Sequence, residues 1–326
     1  MSELKNQTIA RIATAIESRR RFLVATHIRP DGDAIGSLLG LTAMLRRLGK
    51  EATPFSQDPV PSTYTFLAGS EEVRLDAPLP SDYDAAILVD CGDFPRIGPT
   101  MEAPVDRIPF LINIDHHVSK APFGDICWVE ESASSTCEML FDLGQALPLT
   151  IDSEIATNLY TGLLTDTGSF RFSNTSLKVL ETAARLVAAG ANPSRIAQMV
   201  FDSASSQGLR LLGRVLSTVS FHAGERLAAA ELTRRMLEET GSSPSDSESF
   251  INHLRSVKPV EVAMMFREGD DGLVHVSMRS KGKIDVAGFA RKYGGGGHRQ
   301  AAACRLPGNI EAIRSRLVNE ALSDLI

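Results

Sequence analysis

Basic residues are in the minority in this 326-residue chain: 34 Lys and Arg stand against 40 Asp and Glu, a formal charge of −6. A protein that grips long nucleic acid through a broad basic surface is thereby excluded. Long apolar runs are missing too. No stretch reaches the roughly 20 apolar residues of a membrane span, and the N-terminal MSELKNQTIARIATAIESRRR lacks the apolar core of a signal peptide. The expectation is a cytoplasmic protein with no membrane partner. The four cysteines, Cys91, Cys127, Cys137 and Cys304, form no Cys-x-x-Cys pair, which excludes a zinc ribbon or a thioredoxin motif. They read as reduced core residues. Aromatic residues are 6% of the chain, without the spaced stacking platforms of an RRM or an OB-fold. Tracking along a long single strand is not expected.

What is present is a globular composition, 43% hydrophobic and 23% charged, which excludes wholesale disorder. The length suggests about two domains. Charge is uneven: residues 1–210 hold 26 acidic and 18 basic side chains, a net of −8, whereas residues 211–326 hold 14 and 16, a net of +2.

Short apolar runs at 21–26, 84–90 and 108–115, with another at 125–130, read as strands. Helices are expected at 4–20, 38–49, 135–146, 152–164 and 176–189. Strands alternating with helices predict an α/β fold, a doubly wound and mostly parallel sheet covered on both faces. After a helical linker at 191–212 the pattern changes. Strands at 226–233, 259–268 and 272–280, helices at 284–294 and 309–322, and a polar loop at 241–249 predict a second, smaller α/β domain. The expected domains are 1–190 and 213–326.

Three of the strands run into metal-capable residues: 21–26 into His27, 84–90 into Asp90, and 108–115 into Asp115, His116 and His117. Open α/β sheets bind ligands beyond the carboxyl ends of their strands, so the three ends aim at one edge. His27-Ile-Arg-Pro-Asp31-Gly-Asp33 adds two carboxylates in a loop that can turn His27 and Asp31 to one cation and Asp33 to a neighbour. Pro-Asp-Gly is also ordinary turn chemistry, and Asp90 alone could be a helix cap. Asp166, before a Thr-Gly-Ser turn, is a further candidate. His27, Asp31, Asp33, Asp90, His116 and Asp166 together suit manganese, iron or cobalt better than a closed zinc site. Two such cations, bridged by one carboxylate, would acidify a shared water and clamp phosphoryl oxygens.

In this order, HIRPDGDAIGS (27–37), LVDCGD (88–93), NIDHHVS (113–119) and TDTGSFRF (165–172) resemble the four motifs of the DHH phosphoesterase superfamily. KGKIDVAGFARKYGGGGHRQAAA (281–303) resembles the DHHA1 signature. The nearest subgroup is the nanoRNase type, oligoribonuclease and pAp phosphatase. The resemblance implies that His27 and Asp31 bind a first manganese ion, that Asp33, His116 and Asp166 bind a second, and that Asp90 bridges them. It implies that Asp115 orients a ligand histidine, and that His117 contacts phosphate and assists the departing oxygen as an acid.

Gly294, Gly295, Gly296 and Gly297 exceed what a helix cap needs. A flexible loop is one reading. The other is a bare backbone that an anion approaches closely, beside His298 and Arg299. Ser277 and Arg279 share one face of a strand. By the resemblance Arg279 reads the substrate's terminal phosphate or base, a task its guanidinium fork suits. Arg171 could reach the metal site, whereas His222, His253, His275, Trp128 and Cys127 read as structural. The expected active site is the cleft between the domains. The expected reaction is hydrolysis of a short RNA, a linear or cyclic dinucleotide, or pAp by a metal-bridged hydroxide. A pyrophosphatase or polyphosphatase, or a non-catalytic nucleotide sensor, is the alternative. Oligomeric state stays open, with a homodimer as one option.

Overall fold

The computed structural model describes residues 3–117, 122–202, 205–247 and 249–324. The chain divides into two compact units, Met1–Ser203 and Ala204–Ile326. Among the described residues no helix is long and apolar enough to cross a membrane.

The first unit runs α1 (Glu3–Glu17), β1 (Arg21–Ala25), α2 (Gly32–Arg47), β2 (Glu51–Phe55), β3 (Ala85–Val89), α3 (Pro99–Asp106), β4 (Leu111–Asp115), β5 (Ile126–Val129), α4 (Thr136–Ala146), α5 (Ser153–Asp166), α6 (Leu177–Ala188) and α7 (Pro193–Phe201). Its five strands are all parallel, in the order β2-β1-β3-β4-β5. Apolar side chains point both ways from the central strands, so both faces must be covered. Phe22, Val24, Ile87, Ile112 and Ile114 join the core under α1, α2, α4 and α5. Leu23, Ala25, Ala86 and Leu88 pack with Met101 and Val105 of α3 on the other face. This is the doubly wound fold expected. β2 and α3 are additions, each too short or too proline-marked to stand out as a periodic run.

Helix α2 begins at Gly32, six residues before the helix expected at 38–49. Asp31 caps it, accepting the Asp33 and Ala34 amides at 3.1 Å each, so turn chemistry and helix start are the same event here. Gly32, Gly36 and Gly40 lie along one stripe against α5. A Cβ at Gly36 would sit 2.6 Å from the Asn158 carbonyl, and one at Gly32 2.4 Å from the Thr165 hydroxyl. Bare backbone lets the two helices close up, which sets the first turn of α2 beside the last turn of α5.

The second unit runs α8 (Ser206–Leu216), β6 (Ser220–His222), β7 (Leu227–Leu232), α9 (Arg234–Thr240), α10 (Phe250–Ser256), β8 (Val262–Glu268), β9 (Leu273–Ser280), α11 (Val286–Arg291), β10 (Gly296–His298), β11 (Ala301–Pro307) and α12 (Ile310–Asp324). Its sheet, β10-β11-β9-β8-β7-β6, is antiparallel except between β7 and β8. Residues 191–212, expected as a linker, hold α7 in the first unit and the first part of α8 in the second.

Candidate metal centre and substrate face

The order β2-β1-β3-β4-β5 puts β1, β3 and β4 side by side. Their carboxyl ends flank the point where the strand order reverses, the usual ligand position of such sheets. β1 leads to His27, β3 to Asp90, and β4 ends at Asp115 ahead of His116 and His117. Asp90 has φ +56°, a left-handed conformation that costs a non-glycine residue about 1–3 kcal/mol. Its amide donates to the Ile114 carbonyl at 3.0 Å, which holds the turn.

Two histidines face a carboxylate cluster through the same ring nitrogen. His27 Nδ1 donates to the Ile28 carbonyl at 2.8 Å, and His27 Nε2 lies 3.4 Å from Asp90 Oδ2. His116 Nδ1 donates to the Ala133 carbonyl at 3.3 Å. His116 Nε2 lies 3.7 Å from Asp33 Oδ2 and 3.5 Å from both Asp90 Oδ1 and Asp166 Oδ2. With each Nδ1 held by a backbone carbonyl, Nε2 is the nitrogen turned to the carboxylates: it carries a proton toward them when the ring is charged and would offer its lone pair to a bound cation. Besides Asp90–Asp115–His117, the donors of the first unit fall into two overlapping sets, His27–Asp31–Asp90 and Asp33–Asp90–His116, each with ligand atoms within 4.8 Å of one another. Asp90 belongs to both.

Asp33 and Asp90 are each 1% exposed. Buried carboxylates this close require compensating positive charge. Burial together with the charges of Asp90 and Asp166 holds the Asp33 carboxyl well above its ordinary pKa. Burial pushes Asp90 the same way, but the His27 hydrogen bond and the charges of His117, His27 and His116 outweigh it and hold Asp90 well below. An oxygen-rich pocket with two imidazoles fits manganese-like divalent ions, and the shared Asp90 fits a bridging carboxylate.

One orientation differs from expectation. Asp115, expected to orient a ligand histidine, accepts from Nδ1 of His117 at 2.8 Å. Residues two apart on an extended chain share a face, so Asp115 and His117 pair, while His116 turns to the opposite side and the Ala133 carbonyl. Arg171 donates through Nε to the Gly168 carbonyl at 2.7 Å, which anchors it two residues beyond Asp166. Trp128 is buried, as expected, but Cys127 is half-buried, since β5 is an edge strand and its alternate side chains are less covered.

Sequence reasoning placed the helix at 135–146 but missed what the first turn of α4 contacts. The Thr136 amide donates to Asp33 Oδ2 at 2.6 Å, the Cys137 amide to Asp33 Oδ1 at 3.0 Å, and the Thr136 hydroxyl to Asp90 Oδ1 at 3.1 Å. Ser135 caps the helix by accepting the Glu138 amide at 3.1 Å. The Ser135-x-x-Glu138 spacing is a capping-box signal that marks the helix start without saying what its amides bind.

In the second unit, pairing through β11 builds a small face. His298 of β10 pairs with Ala301 of β11, which pairs with Arg279 of β9. In the adjacent row Gly296 pairs with Ala303, which pairs with Ser277. His298, Arg279 and Ser277 therefore rim a floor of Ala301, Ala303 and Gly296. The opposite side chains of β9, Val274, Val276 and Met278, enter the core. Three of the four glycines have structural reasons to be glycine. Gly294 has φ +71°, and a Cβ at Gly295 or Gly297 would lie 2.2 or 2.4 Å from a β11 carbonyl oxygen. Gly296 has open space around its missing Cβ, so its bareness is available to a ligand. Arg299 occupies the turn between β10 and β11, where its carbonyl accepts the Val286 amide.

The DHH family N-terminal domain matches residues 21–163, and the DHHA1 domain matches residues 224–324. The bifunctional oligoribonuclease and PAP phosphatase NrnA of Thermus thermophilus is 38% identical over 322 residues, covering 96% of this chain and 94% of that protein. The protein of the same name from Bacillus subtilis is 31% identical over 297 residues, covering 88% and 90%. A crystal structure of an exopolyphosphatase-related protein from Bacteroides fragilis superposes with a TM-score of 0.89 at 27% identity, covering 98% of this chain and 96% of that one. With the strand-end cluster in the first unit and the glycine-marked face in the second, the chain belongs to the DHH phosphoesterase family, as a DHH domain followed by a DHHA1 domain.

Proposed function

We propose that this protein is a metal-dependent phosphoesterase acting on very short oligoribonucleotides, linear or cyclic dinucleotides, and pAp. The observation that carries the reading is the convergence of His27, Asp33, Asp90, His116 and Asp166 within 3.7 Å contacts at the carboxyl edge of a parallel sheet. The names of the 38% and 31% identical relatives support the substrate class.

His27 and Asp31 would hold one manganese ion, Asp33, His116 and Asp166 a second, and Asp90 both. Divalent ions there supply Lewis-acid charge to phosphoryl oxygens and acidify water. Burial works against charge on His117, but the hydrogen bond from its Nδ1 to Asp115 outweighs it and raises the pKa, so the ring would carry a proton on both nitrogens and give the one on Nε2 to the departing ribose oxygen as general acid. Water adds to phosphorus and loses one proton to solvent, the bond from phosphorus to the ribose oxygen breaks with its electron pair on oxygen, and that oxygen leaves with the His117 proton, which the ring regains from solvent. Ser277, Arg279, Gly296, His298 and Arg299 would bind the nucleotide through phosphate and base, with Gly294, Gly295 and Gly297 shaping the strand that carries them.

A manganese-dependent hydrolysis panel tests this: pApA, longer RNA, pAp, cyclic di-AMP and pyrophosphate. The expected result is turnover of pApA and pAp well above that of longer RNA. Fastest cleavage of pyrophosphate would overturn the reading, and no turnover of any nucleotide would leave a binding protein.

A further inference from the structure

We infer that Thr136 is a positioning residue that sets the affinity of the site for divalent ions by fixing the rotation of the Asp90 carboxylate. The inference rests on the proposed two-ion reading of the site. A carboxylate that serves two cations must turn one oxygen toward each. In this chain Asp90 Oδ2 faces His27 Nε2 at 3.4 Å and Asp90 Oδ1 faces His116 Nε2 at 3.5 Å. Rotation about the terminal torsion of an Asp is broad and weakly restrained, so this division of oxygens needs an external hold. The Thr136 hydroxyl supplies it, donating to Oδ1 at 3.1 Å.

The rest of Thr136 is itself locked. Its amide is bonded to Asp33 at 2.6 Å, so one residue touches a carboxylate of the second donor set and the carboxylate shared by both. The turn carrying it is fixed from behind. Glu138 Oε2 accepts the amide and hydroxyl of Ser134 at 2.7 and 2.8 Å. Its other oxygen meets Lys178 Nζ at 2.9 Å. The Asn174 amide group donates to the carbonyls of Ser134 and Asp166, each at 3.1 Å. A β-branched threonine then has few rotamers in which to place its hydroxyl. Partners that orient metal ligands typically change metal affinity about 10–100-fold when removed.

The test uses the full-length protein stripped of metal with EDTA and titrated with Mn2+ by calorimetry, alongside Tm in EDTA and kcat at saturating Mn2+. T136V should bind Mn2+ roughly 10–100-fold more weakly, with most of kcat returning once Mn2+ saturates. T136S keeps the hydroxyl and should stay within about threefold of the parent. A purely structural role would lower Tm in EDTA and leave the Mn2+ affinity of the folded protein unchanged. T136A gives the same comparison if T136V does not fold. T136V or T136A binding Mn2+ as tightly as the parent overturns the inference while leaving the two-ion reading intact. A parent protein that takes up no Mn2+ overturns that reading itself, and the inference with it.

Discussion

Asp33, Asp90 and His116 are at most 5% exposed and meet at the ends of buried parallel strands, whereas Ser277, Arg279 and His298 stand half-buried around an alanine floor on a sheet face. The first unit has concentrated polar groups where water cannot compensate them, so the cluster is costly unless cations or fixed hydrogen bonds answer it. The second unit keeps its polar groups where water solvates them until a ligand displaces it. Burial thus distinguishes a place suited to chemistry from a place suited to recognition.

The largest effect expected from that contrast is on Asp90. Asp90→Ala removes the one donor common to both sets and should lower turnover of pApA by at least ~100-fold, more than loss of an orienting partner does, while nucleotide binding survives. Steady-state kinetics and equilibrium binding of the dinucleotide check this, and unchanged turnover would sink the assignment. Next is Arg279→Ala. If the second unit only binds, KM should rise about 10-fold or more, as for a lost charge-assisted bond of about 1.5–3 kcal/mol, with kcat little changed. A fall in kcat at constant KM would break the division between the units.

The glycines sharpen the same comparison. Gly295→Ala places a Cβ against the Ala303 carbonyl oxygen and should cost about 1–3 kcal/mol of stability by overpacking. Gly296→Ala meets nothing, so thermal melting should match the parent while KM for the nucleotide rises. Equal Tm values for the two variants would refute this distinction.

The smallest effect concerns a carboxylate that already has its own cation. Asp84, beside the start of β1, accepts from the Arg21 guanidinium at 2.8 Å and from the Arg20 and Arg21 amides, and is held down at about 2. Its pKa is depressed in the folded state, so its stabilisation is fully present above about pH 4 and drains away as pH falls toward 2. The pair is 44% and 33% exposed, which reduces its worth to about 0.5–1 kcal/mol. Asp84→Asn should lower Tm by roughly 1–4 °C at pH 6 and hardly at all near pH 2. A loss that grows on acidification would contradict this account.

The strand ends were legible because β1, β3 and β4 are continuous apolar runs and because Asp-His-His has few packing explanations. β10 and β11 were not. Gly-Gly-His and Ala-Ala-Ala-Cys have little intrinsic strand preference, and these segments extend because β9 offers an edge to pair with. The face shared by His298, Arg279 and Ser277 exists only through that pairing. The start of α2 was hidden for a related reason: Pro-Asp-Gly reads as a turn, yet the Asp31 side chain captures two amides and begins a helix.

Thr136 shows the limit of local reading most clearly. It lies 103 residues from Asp33 and 46 from Asp90 along the chain, and nothing near it in sequence announces either contact.

By itself the sequence determined the donor types, the apolar runs that carry them and the common edge they point to, because strand ends and side-chain alternation follow local rules. Only the tertiary structure decided which nitrogen meets which oxygen. The β2-β1-β3-β4-β5 order, the glycine-lined approach of α2 to α5 and the docking of the first turn of α4 brought Asp33, Asp90 and Asp166 around one histidine. They also gave Asp115 to His117 rather than His116. These are contacts between distant segments, set by how layers pack, and packing is a property of the whole chain.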